Sequence, residues 1–221
     1  MYWDESKHPR DKQGKFTTAD YAAMSIDELK DESTVQLSEN AKYVAVTPIT
    51  DDAINNVPVV DIPGYTKEEC EYIAEQHKEL LRYARDKNLH NEVAFVYREG
   101  FKDRLVLKGE SDTIDFNYVM QGKGNGIVIL HNHPRNHTFS MADLFVFGDN
   151  DGIRTMTIVK NNGDVEIVTK PQDFDSSLFT KTLYRSLKKN NKMGTIHEIE
   201  KAVYDTLSKK AGGIIWRKQE S

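Results

Sequence analysis

Ile127-Val128-Ile129-Leu130-His131-Asn132-His133-Pro134, followed after a polar link by Phe139-Ser140-Met141-Ala142-Asp143-Leu144, is the stretch on which the fold turns. Its first half is a continuous apolar run, fit for a strand buried on both faces. Pro134 ends that strand, because a proline brings no N–H to a ladder. Ser140 and Asp143 stand at the spacing of a capping box, with Phe139 and Leu144 placed as a hydrophobic staple. A helix is therefore expected from Ser140 to about Gly148.

Upstream, Thr66 and Glu69 form another capping box, and Cys70, Ile73, His77, Leu80, Leu81 and Ala84 recur at helical spacing. That pattern predicts a helix over 67–88. Val93–Tyr97 and Leu105–Leu107, joined by a polar link through Gly100, read as a β-hairpin. Gly122, Gly124 and Gly126 recur at every second residue, which matches neither a dinucleotide nor a phosphate loop. Downstream, Met156–Val159 and Val165–Val168 flank Asn161-Asn162-Gly163-Asp164, a second hairpin signal. Residues 66–170 thus alternate helix and strand. The fold class expected is α/β (α+β), a mixed β-sheet flanked by helices.

The flanks differ from this core. Residues 1–60 are expected to be an arm and lead-in, partly disordered, because the first forty residues lack apolar periodicity. Within them Ser25 and Glu28 could cap a short helix, and Tyr43–Val46 and Val57–Val60 read as edge strands or an extended lead-in. The catalytic domain is expected over 61–172, and a helical C-terminal extension over 173–221, where Thr195 and Glu198 cap a helix stopping near Gly212-Gly213.

Composition narrows the class of protein. The chain has 221 residues, 38% of them hydrophobic and 29% charged, enough for one core with considerable polar surface. No apolar run nears the roughly 20 residues that span a bilayer. The first residues do not resemble a signal peptide, so a cytoplasmic protein is expected. Thirty Lys and Arg against 35 Asp and Glu leave a net charge of −5, which does not indicate nucleic acid as a partner. Cys70 is the lone cysteine, so disulfides within the chain and thiolate metal clusters are excluded.

The chemistry concentrates at His131, His133 and Asp143. Two residues apart on a strand, the imidazoles project from one side, their Cα atoms roughly 6–7 Å apart. That separation lets two ring nitrogens share one metal at about 2.0–2.1 Å. Asp143, in the first helical turn, can add a carboxylate oxygen. Two His and one carboxylate leave a position open for water, the mark of a catalytic zinc site rather than a structural one. A plainer reading stands beside this: Ser140 and Asp143 are sufficiently explained as helix caps. His137 reads as a loop residue or one facing the substrate.

The string His131-x-His133-Pro134, then Ser140-x-x-Asp143, resembles the signature of the JAMM (MPN+/JAB) zinc metalloproteases. Its wording is most similar to the RadC-type branch, over residues 66–170. Five residues separate Pro134 from Ser140, where the family commonly has six. The resemblance implies Zn2+ held by His131, His133 and Asp143, with Ser140 stabilising an oxyanion. It also implies an upstream glutamate acting as base. Glu92, just ahead of its strand, fits that pattern best; Glu99 in the hairpin turn and Glu110 after the second strand are the others. The activity implied is cleavage of a peptide or isopeptide bond in a peptide or protein substrate, ubiquitin-like proteins included. The alternative is a RadC-like accessory or structural module of phage or prophage that binds partners, at DNA for instance, without proteolysis. His8–Thr17 is similar to a short motif of phage minor-head and prophage-linked proteins, which implies a bacterial or phage-encoded, virion-associated setting.

Overall fold

A computed structural model of the chain describes residues 45–98, 100–110, 113–116, 126–190 and 215–219. The first helix, α1 (Asp51–Asn55), starts at Thr50, whose hydroxyl accepts from Ala53 N at 3.1 Å. The long helix α2 (Lys67–Lys87) starts at the Thr66/Glu69 capping box, with both reciprocal bonds made. Its buried residues are Cys70, Ile73, Ala74, His77, Leu80, Leu81 and Ala84, one stripe at three- and four-residue intervals.

Strands β1 (Val93–Arg98) and β2 (Asp103–Lys108) pair antiparallel, and β1 pairs on its other side with β3 (Ile127–His133), which is buried throughout. Helix α3 (Met141–Asp149) carries the chain across to β4 (Ile153–Lys160), which lies parallel to β3. Strands β5 (Val165–Thr169) and β6 (Ile215–Gln219) complete a six-stranded sheet of order β2-β1-β3-β4-β5-β6. Among the described residues only the β3–β4 pair is parallel, so the sheet is mixed and the fold is α+β. The β4–β5 turn needs a glycine at Gly163: its φ is +98°, and a Cβ there would lie 2.6 Å from the Ala53 carbonyl oxygen.

Each face of the sheet carries its own core. One face packs Ala94, Val96, Ile129, Met156 and Ile158 against α3 and against Phe179 and Leu183 of α4 (Ser176–Asn190). The opposite face packs Val93, Phe95, Leu130 and Ile167 against α2 and the lead-in. Helices α3 and α4 meet at Gly148, where a Cβ would fall 2.4 Å from the Phe179 ring.

Ile49, Ile54, Val57, Val60 and Ile62 are all buried in the α2-side core. Of the two alternatives for Val57–Val60 the extended lead-in holds: the segment forms no strand, Pro58 withholds a ladder donor, and Val57 and Val60 are buried while Val59 is exposed. Phe179 and Leu183, beyond residue 173, belong to the core on the other face. The tail contributes α4 but also strand β6, which no helical pattern foretold. Residues 1–44, Glu99 and the Thr195 and Glu198 cap lie outside the described residues. Among the described residues no helix is long and apolar enough to cross a membrane.

Candidate metal centre

Side chains alternate along β3, so Ile127, Ile129, His131 and His133 face α3 while Val128, Leu130 and Asn132 face α2. This sets the two imidazoles in a pocket whose floor is apolar: the His131 ring lies edge-on to Phe116 and Phe139. The two Nε2 atoms are 3.0 Å apart. Nδ1 of His133 meets the His137 carbonyl oxygen at 3.1 Å. A carbonyl only accepts, so that nitrogen carries the proton, and in the neutral ring the Nε2 lone pair faces His131.

Two carboxylates complete the group. Asp143 brings Oδ1 to 3.4 Å from His131 Nε2 and Oδ2 to 3.3 Å from His133 Nε2. Glu92 brings Oε1 to 3.9 Å from His131 Nε2. Glu92, His131 and His133 each offer a ligand atom within 4.8 Å of the others, and all three are buried. Imidazole nitrogens and carboxylate oxygens at such separations fit a divalent cation, so this cluster could hold a metal ion.

The electrostatics are those of a buried negative centre. Burial disfavours a charged His133, but the hydrogen bond and charge of Asp143, with Glu92, outweigh it and raise its pKa to about 9. Burial dominates at His131 and lowers its pKa despite Asp143. Burial likewise disfavours the Asp143 carboxylate, yet the two histidines hold its pKa well below the usual range. One cation is wanted between these groups, and a proton on His133 competes for that place with a metal.

The local chain explains how each group arrives. Ser140 caps α3: its Oγ accepts from Asp143 N at 3.1 Å and donates to Asp143 Oδ2 at 2.7 Å, while Ser140 N adds a bond to the same oxygen at 2.8 Å. The cap fixes the carboxylate against the histidines. The 134–140 loop turns through Asn136 at φ +57°. It is tied to the sheet by Thr138, whose hydroxyl donates to Glu166 Oε2 at 2.7 Å. Glu166 is buried and paired with Lys160 at 2.8 Å.

Glu92 reaches the centre from a tight turn after α2, where Leu89 and His90 both have positive φ. Contacts hold that conformation: His90 N donates to Ala84 O at 2.9 Å, and His90 Nδ1 accepts from Ile49 N at 3.1 Å. The structure thus brings together Glu92, His131, His133, Ser140 and Asp143. It leaves Glu110 exposed in a bridge with Thr113. His137 meets the centre through its backbone carbonyl.

Sequence reasoning passed over Thr138, Glu166, Asn132 and Asn161, which brace the site. A charged residue inside Val165-Glu166-Ile167-Val168 and a polar one inside the apolar run of β3 were the available signals. Comparison with protein-family models, with curated proteins and with solved structures returns no match for this chain. Fold and site together define an α+β protein with a buried carboxylate–imidazole cluster that could hold a metal ion.

Proposed function

We propose that the chain is a zinc-dependent hydrolase that cleaves a peptide or isopeptide bond. The observation that carries this reading is the convergence of Glu92, His131 and His133 beside Asp143 in one buried group. The likeness of His131-x-His133-Pro134 and Ser140-x-x-Asp143 to the JAMM signature supports the choice of bond. Zinc suits a donor set of two imidazoles and a carboxylate with no thiolate. Bound there, it would supply Lewis acidity and lower the pKa of a water toward about 7.

The chain's own residues do the rest. His131 and His133 present Nε2, the latter fixed in its tautomer by the His137 carbonyl. Asp143 supplies the third ligand and is held rigid by its cap. Glu92, buried beside the pair, takes a proton from the attacking water and returns it to the leaving amine. Ser140 first positions Asp143; its hydroxyl can turn to an oxyanion because Ser140 N continues to hold Asp143 Oδ2.

The test is cleavage of a panel of peptide and isopeptide-linked substrates, ubiquitin-like conjugates included, by zinc-loaded protein. Cleavage that disappears in Glu92→Gln is expected. A zinc-loaded protein that cleaves nothing in the panel and yet captures a partner would favour the binding-module reading instead.

A further inference from the structure

We propose that Asn132, the residue between the two histidines, is a positioning residue that holds Glu92 against the metal centre from the opposite face of the sheet. This rests on the reading of His131, His133 and Asp143 as metal ligands with Glu92 as the base beside them. Asn132 points toward α2, away from the imidazoles, and is fully buried. A buried amide must find partners, and here they are the peptide groups on either side of Glu92. Its Oδ1 accepts from Val93 N at 2.8 Å, and its Nδ2 donates to Asn91 O at 3.3 Å.

The backbone register shows why a side chain is needed. The β1–β3 ladder runs from Tyr97↔Val128 to Ala94↔His131 and stops there. Beyond it the Asn132 side chain, not the main chain, makes the next link, and the chain bearing Glu92 starts from that link. The Glu92 carbonyl is fixed from the hairpin side, accepting from Gly109 N at 2.9 Å and Asn88 Nδ2 at 2.8 Å. With both flanking peptides and its own carbonyl held, the Glu92 backbone has little freedom, and its carboxylate is aimed at His131.

A second amide supports the first. Asn132 Nδ2 also donates to Asn161 Oδ1 at 2.9 Å. Asn161, fully buried at the end of β4, donates to Thr47 O at 2.8 Å and His90 O at 3.1 Å. Those bonds fix its amide orientation, since its nitrogen faces two carbonyls. The strained His90 turn is therefore tied to the same pair of asparagines that hold Glu92.

A double-mutant cycle on Co2+ affinity separates positioning from mere folding. Asn132→Ala is expected to weaken Co2+ binding by about ten-fold in the otherwise wild-type chain, because the buried Glu92 carboxylate, although not a ligand, no longer lends its charge to the cation. In the Glu92→Gln background the same change should cost less than about two-fold, because Asn132 then has no carboxylate to place. Equal losses in both backgrounds would overturn the proposal and leave Asn132 a structural residue. Asn132→Ser, which keeps one donor and one acceptor, serves if the alanine variant does not fold. Co2+ binding unchanged in His131→Ala would overturn the metal centre itself, a result distinct from failure of the cycle.

Discussion

Two buried histidines on opposite sides of the sheet meet opposite fates. His77, on α2, packs against the sheet with its Nε2 2.7 Å from Thr157 Oγ1, and its Nδ1 meets no hydrogen-bond partner. Burial, aided by the His131 charge, drives its pKa down to about 3. His133, also buried but on the other face of the sheet, is raised to about 9 by Asp143 and Glu92 against its own burial penalty. Burial alone makes a neutral core histidine; two carboxylates within reach make a cation site. The difference lies in the neighbours and not in the residue.

Replacing the neighbours should break the contrast. Glu92→Gln is expected to keep stoichiometric metal, at weaker affinity, while lowering turnover by about 10²–10⁴-fold, the usual worth of a general base. Kinetics beside metal analysis checks this, and loss of the metal would make Glu92 a ligand instead. Asp143→Asn should weaken metal binding strongly, read as a higher dissociation constant for Zn2+, since a neutral amide is a poor ligand.

Acidity sharpens the contrast. In the metal-free protein His133 holds a proton that metal must displace, so apparent metal affinity should climb with pH and level off above about pH 9. The stability that this proton contributes to the metal-free fold is present below pH 6.5 and lost as pH rises through about 9. His77 acts in the other window: the unfolded chain binds its proton more tightly, so stability falls as pH drops from 6.5 toward about 3. His77→Leu should flatten that acid slope in urea unfolding and leave the rise in metal affinity intact. An unchanged slope would remove His77 from the account.

The smallest effect belongs to the cap. Ser140→Ala should cost on the order of 1 kcal/mol in unfolding free energy, keep the metal and lower the rate. A variant as stable as wild type would show that the α3 cap contributes nothing.

What was legible in the sequence was what local chemistry dictates. Thr66 with Glu69 and Ser140 with Asp143 start helices through bonds made within four residues, and both helices begin where those boxes stand. Period-two alternation put His131 and His133 on one face without any knowledge of the sheet. The rest depends on distant partners. Residues 51–55 form a helix beneath the β4–β5 turn, and β6 finds β5 from some fifty residues away, neither of which a local pattern encodes. Glu92 came only from the resemblance, because its approach depends on a left-handed turn and on Asn132, forty residues downstream. Nothing local marks Asn132, since its partners are Asn91, Val93 and Asn161.

Metal analysis of the protein purified without chelator tests the central claim most directly. The account predicts about one zinc per wild-type chain and none in the His131→Ala/His133→Ala double variant, with both proteins folded by circular dichroism. Stoichiometric zinc persisting in that double variant would contradict it.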